Sequence, residues 1–80
     1  MLSEEQYKKD AAVLKKAMEG WGCNENEIVN LCTARNNADR LKIADIFKNV
    51  YNKDLIKELE SELSGDVKKT VIGMFRSYLD

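Results

Sequence analysis

The sequence predicts an all-α domain of five helices, and three observations carry that prediction. Apolar residues recur at helical spacing along the whole chain, with no sustained alternation. Proline is absent, and the glycines stand at 20, 22, 65 and 73, the first three marking breaks between periodic segments. Serine, asparagine and aspartate, the side chains that cap free helical amides, precede several of these segments.

The first helix is expected over residues 10–19, with Ala11, Leu14, Ala17 and Met18 on its inner stripe. Asp10 can cap it, its carboxylate accepting from a free amide of the first turn. Ser3 with Gln6 is a competing capping pattern, so residues 1–9 are either a tail or an extra turn. Gly20 closes the helix. The second helix is expected over 25–34, with Asn24 and Glu27 forming a capping box and Ile28, Leu31 and Cys32 sharing a face. Cys32 reads as a small core residue. Arg35 follows the last turn, where a cation suits the negative end of the helix dipole.

The third helix is expected over 38–51, capped by Asn36 or Asn37, with Ile43, Ala44, Phe47, Val50 and Tyr51 on a broad apolar face. Asn52 ends it, asparagine being second to glycine in the left-handed conformation. The fourth is expected over 54–63, with Leu55, Leu59 and Leu63 on one stripe and Ile56 and Lys57 beside it. Ser64-Gly65-Asp66 breaks it. The fifth is expected over 66–79, turning Val67, Val71, Met74, Phe75 and Tyr78 inward. Gly73 within it costs about 1 kcal/mol relative to alanine, which predicts a close helix contact there, inside the chain or with something outside it.

Composition narrows the function. Eighty residues make one domain with a thin stability margin. Thirteen basic and fourteen acidic side chains leave a net charge of −1, which argues against a nucleic-acid partner, since neutralising phosphates needs a basic face. No apolar run is long enough for a spanning helix or a signal peptide, and the expected location is cytoplasmic. Cys23 and Cys32 match no zinc or redox spacing, so free thiols are expected. With no histidine, the usual general base and the Ser-His and Cys-His nucleophiles are missing, so the chain does not read as an enzyme.

The distinctive chemistry lies in Met18-Glu19-Gly20-Trp21-Gly22-Cys23-Asn24-Glu25. Two glycines one residue apart free the backbone, so that several carbonyls can converge. Carbonyl oxygens and an acidic side chain are what a hard cation such as calcium needs. A plain interhelix turn would also use the glycines. Trp21, at the tip, either packs back on the domain or enters a lipid headgroup layer, where tryptophan is favoured. An EF-hand does not fit, because no segment has its acidic ladder with glycine at the sixth and glutamate at the twelfth position.

Ala17-Met18-Glu19-Gly20-Trp21-Gly22-Cys23-Asn24-Glu25 closely resembles the calcium loop of an annexin repeat, A-M-K-G-x-G-T-[DN]-E. Leu31-Cys32-Thr33-Ala34-Arg35-Asn36-Asn37-Ala38-Asp39-Arg40 resembles the family's L-x-x-R-[SN]-N-A-Q-R segment. Val50-Tyr51-Asn52-Lys53-Asp54-Leu55 resembles Y-G-x-D-L, and Leu59-Glu60-Ser61-Glu62-Leu63-Ser64-Gly65-Asp66 resembles L-x-x-E-L-[ST]-G-x. The four segments fall in order and at family spacing over nearly the whole chain.

The resemblance implies a five-helix right-handed bundle, one annexin repeat, over residues 10–80. It implies Ca2+ held by the carbonyls of Met18, Gly20 and Gly22 and the side chain of Glu62. A secondary position uses the Cys23 carbonyl and Glu25. Read without the resemblance, Glu62 is a solvated helix-end carboxylate and Glu25 a favourable charge at a helix N-terminus. It further implies calcium-dependent binding to acidic phospholipid membranes, peripheral to the membrane when calcium is bound. The arginine matching Arg35 is structural in the family. Annexins typically carry four repeats packed in a disc and this chain holds one, so packing against other repeats or self-association is expected. A rival reading is a structural module with a cytoskeletal partner, as in some annexin-like proteins, with weak or lost calcium binding.

Three departures from the family's pattern bear on the loop and the helix ends. Glu19 stands where lysine or arginine is common and puts a negative charge beside an anionic membrane. Cys23 replaces threonine, which leaves the capping role to Asn24. Asn52 replaces glycine. Lys68 and Lys69, at the start of the fifth helix, either offset Glu19 at the membrane or form a solvated face.

Overall fold

Ser3, not Asp10, starts the first helix. In the computed structural model, which describes residues 2–19 and 24–76, the Gln6 N–H donates to the Ser3 hydroxyl at 3.2 Å, and α1 runs Glu4–Met18. The expected start at residue 10 is corrected for a physical reason: Asp10 is buried in mid-helix, where Arg35 takes its carboxylate, so it caps nothing.

The remaining helices are α2 (Glu25–Thr33), α3 (Asn37–Tyr51), α4 (Leu55–Glu62) and α5 (Gly65–Arg76). The bounds of α2, α3 and α4 agree with expectation to within one residue, because each has a side-chain cap. Asn24 Oδ1 accepts the Glu27 N–H at 3.2 Å, and its Nδ2 donates to Glu27 Oε2 at 3.0 Å. Of the two candidate caps for α3, Asn36 serves, accepting the Asp39 N–H at 2.8 Å. Asp54 caps α4 through the Ile56 and Lys57 amides instead of opening the helix. Asn52 ends α3 in the left-handed conformation at φ +57°, as expected. The expected end of the fifth helix, with Tyr78, lies outside the described residues.

Each helix sends side chains into one core: Leu14, Ile28, Ile43 with Phe47, Leu55 with Leu59, and Val71 are fully buried. Burying one leucine or isoleucine contributes about 1.5–3 kcal/mol, which is why the apolar stripe governs the fold. Tyr7, Ile46 and Ile72 join the core without having been expected there. Val50 is the converse, 56% exposed, because the Phe47–Tyr51 ring pair, centroids 4.9 Å apart, takes the inward side of the last turn of α3. Gly73 is exposed, and a Cβ there would meet no described residue within 4 Å, so the expected close contact is not made among the described residues.

Polar contacts set the helix directions. Tyr7 donates to Asp39 at 2.7 Å, and Lys15 sits over the Tyr51 ring, so α1 and α3 run the same way. Arg35 reaches back to Asp10, so α2 returns antiparallel to α1. Arg40 Nη1 donates to the Cys32 carbonyl at 2.7 Å and lies 3.8 Å from Met74 Sδ, which draws together the C-terminal ends of α2 and α5. These two helices pack side by side in the same direction.

Candidate functional site: the α1–α2 connection

The parallel course of α2 and α5 turns both N-terminal ends away from Arg40, to one end of the bundle. Asn24, which caps α2, and residues 63–64, which feed α5, are therefore at that same end. Met18 is the last residue of α1 and partly buried. Its carbonyl falls in the last turn, where no in-helix amide remains to bond it. Glu62 is the last residue of α4, is exposed, and makes no ion pair with another described residue. Glu25 opens α2, half-buried. Lys68 and Lys69 lie in the first turns of α5, half-buried and exposed respectively.

Gly20, Trp21, Gly22 and Cys23 lie outside the described residues. Their frame is within them. The Asn24 N–H donates to the Ala17 carbonyl at 2.8 Å and ties the chain on either side of the connection. Glu19 leaves the helix with extended backbone, φ −93° and ψ 165°, its N–H donating to the Lys16 carbonyl at 3.2 Å. Among the described residues no group of three or more histidine, cysteine or acidic side chains is placed to hold a metal. The ligand set implied by the resemblance is mostly backbone carbonyl and does not depend on such a group.

Sequence reasoning missed how Glu19 is held. Lys15 Nζ lies 2.9 Å from Glu19 Oε2 and 5.5 Å from the Tyr51 ring centroid. The i, i+4 spacing of Lys15 and Glu19 was the available signal; the part played by Tyr51 has no sequence signal, because it comes from another helix. Cys32 is buried, as expected, and burial pushes its thiol up to about 11, which keeps it protonated and inert.

Two open grooves flank the helices. One, of about 670 Å3, runs along α3 and α4 past Leu41, Ala44, Leu55 and Ile56, with Lys42 and Asp45 on its rim. The other, of about 510 Å3, lies between α4 and α5 beside Glu60, Lys68, Lys69 and Ile72. No helix among the described residues is long and apolar enough to cross a membrane.

The sequence profile of the family described as Annexin matches residues 9–74. Annexin A5 of Rattus norvegicus is 45% identical over 67 residues, covering 84% of this chain and 21% of its own length. Annexin A7 of Homo sapiens is 46% identical over 67 residues, 84% of this chain and 14% of the relative. The chain thus spans about a fifth or less of the length of these relatives. Among solved structures, chicken annexin V superposes with a TM-score of 0.85 at 40% identity, covering 88% of this chain and 22% of that one. A structure of chicken annexin V in complex with Zn2+ gives the same values.

Proposed function

The chain belongs to the annexin family, and from that premise we propose that it binds acidic phospholipid membranes in a calcium-dependent way through residues 17–25. Calcium and phospholipid binding are hallmarks of the family. The observation that carries the reading is the Ala17–Asn24 hydrogen bond, which frames the glycine-containing segment. The donor chemistry fits: the Met18, Gly20 and Gly22 carbonyls and the Glu62 carboxylate are hard oxygen ligands, with the Cys23 carbonyl and Glu25 as a secondary set. The ion would supply positive charge that a lipid phosphate can complete.

The residues of the chain divide the work. The carbonyls carry no net charge, so a single carboxylate leaves positive charge at the surface. Glu62 has no cation of its own among the described residues to compete for it. Trp21 enters the headgroup layer, and Lys68 and Lys69 add attraction to anionic lipid from the first turns of α5. Lys15 Nζ, 2.9 Å from Glu19 Oε2, places a cation beside the negative charge that opposes this reading. The protein works as a binding module and not as an enzyme, cytoplasmic and peripheral to the membrane when loaded.

Trp21 is the only tryptophan and so reports on one place. Titrating calcium against phosphatidylserine vesicles should give a blue shift of Trp21 emission that requires vesicles and reverses with chelator. Glu62→Gln should raise the calcium needed for vesicle pelleting at least several-fold. Pelleting unchanged by that substitution would remove Glu62 from the site; a folded chain showing no response in any condition would remove the reading itself. The groove along α3 and α4, with Leu41 39% exposed, favours a second reading alongside it, a face for another repeat, a second copy or a cytoskeletal partner.

A further inference from the structure

Lys15 holds two partners at once. Its ammonium pairs with Glu19 Oε2 at 2.9 Å and lies 5.5 Å above the centre of the Tyr51 ring. The Lys15 side chain is 23% exposed and that of Glu19 62%. A lysine preceding a glutamate by four residues is the weaker order for a helical ion pair, and an exposed pair of this kind is weak by itself. The aromatic face adds a second attraction for the ammonium in the same position. Tyr51 is in turn fixed by its tilted contact with Phe47, which is fully buried. A charge at the end of α1 is thus anchored through α3 to the core.

The position of Glu19 gives that anchoring a consequence. It directly follows Met18 and directly precedes Gly20, two of the residues assigned carbonyl ligands above. A free carboxylate there would do two opposite things. It would add attraction for a cation in the loop, and it would repel an anionic lipid surface.

We propose that Lys15 is a positioning residue that, seated on Tyr51, neutralises Glu19 and holds its carboxylate in the ion pair, so that the loaded loop presents positive charge to lipid. This rests on the calcium-loop reading above. The effect follows from the charge of one carboxylate acting across solvent at the protein surface, and is expected to be roughly two- to fivefold in each equilibrium.

The test uses the full chain and two titrations. With calcium saturating, phosphatidylserine vesicles are titrated and Trp21 emission is followed. Lys15→Gln should need roughly two- to fivefold more lipid than the unsubstituted chain. Without vesicles, terbium in place of calcium should bind the same variant more tightly, not less. Lys15→Gln combined with Glu19→Gln should return both values to near those of the unsubstituted chain. Lys16→Gln, which removes a neighbouring exposed charge, should leave both nearly unchanged. In the calcium-free chain, the Lys15 ε-methylene protons should be shifted upfield by the Tyr51 ring. Equal effects of Lys15→Gln and Lys16→Gln would overturn the proposal, showing bulk charge at work. A loss that persists in the double variant, or a missing ring-current shift, would also overturn it. Failure of the unsubstituted chain to bind vesicles at any calcium concentration would instead overturn the reading it rests on.

Discussion

Arg35 grips Asp10 with two prongs, Nε to Oδ2 at 2.7 Å and Nη2 to Oδ1 at 3.0 Å, across 25 residues of chain. Gln6 adds a third bond to the same carboxylate at 3.1 Å, and the Asp10 side chain is only 3% exposed. The hydrogen bonds that Arg35 donates to Asp10 hold its guanidinium above even its ordinary range, against the effect of burial. The pair joins the middle of α1 to the end of α2 and so sets the angle at which the two helices leave the α1–α2 connection.

Arg35→Ala leaves a buried carboxylate without its cation and should destabilise the chain by about 2–4 kcal/mol. Arg35→Lys should recover only part of this, because an ammonium cannot reproduce the fork. Urea unfolding of both variants checks the order. A lysine variant as stable as the parent would show that charge alone, not geometry, makes the joint.

The alkaline limb of stability should report Cys32. Burial raises its thiol to about 11 from an ordinary 9.0. The folded chain therefore keeps a proton that the unfolded chain loses above pH 9. The associated stability is intact below that pH and is lost as the pH rises through 11, at most about 2–3 kcal/mol. Tyr7 adds to the same trend, since the bond to Asp39 raises its phenol. Urea midpoints at pH 8 and pH 11 measure the loss. In a Cys23→Ser background, Cys32 should react with a thiol reagent only as fast as the chain unfolds.

Gly65 and Gly73 should respond to alanine with opposite signs. Gly65 sits at φ +61° with nothing near its would-be Cβ, so Gly65→Ala should cost about 1 kcal/mol through the backbone alone. Gly73 is helical and its would-be Cβ also faces open space, so Gly73→Ala should stabilise the chain by about 0.4–1 kcal/mol. Thermal unfolding of the two variants decides it.

Exposed Leu41 and Val50, with the apolar groove beside Leu41, should drive concentration-dependent self-association of the isolated chain. Sedimentation equilibrium should show the apparent mass rising with concentration, and Leu41→Glu should reduce that rise. A monomer at every concentration would count against the face.

Periodicity and capping residues alone determined that this is a five-helix protein, because helix formation and helix ends are local events within a few residues. The cap at Asn24, the left-handed end at Asn52 and the burial of Cys32 were all legible on that basis. The order of motifs from Ala17 to Asp66 also placed the chain in its family and marked the candidate cation loop. The packed structure decided what depends on residues far apart in sequence. Asp10 suits a helix cap as well as a salt bridge, and only Arg35, brought in from the end of α2, settles which. In sequence, Lys68 and Lys69 are the candidates to offset Glu19; in the fold Lys15 pairs with it, seated on Tyr51 from a third helix. Gly73, expected at a close helix contact inside the chain or outside it, meets none among the described residues. Arg35 for Asp10, and Tyr51 for the Lys15–Glu19 pair, lie beyond the range over which local sequence acts.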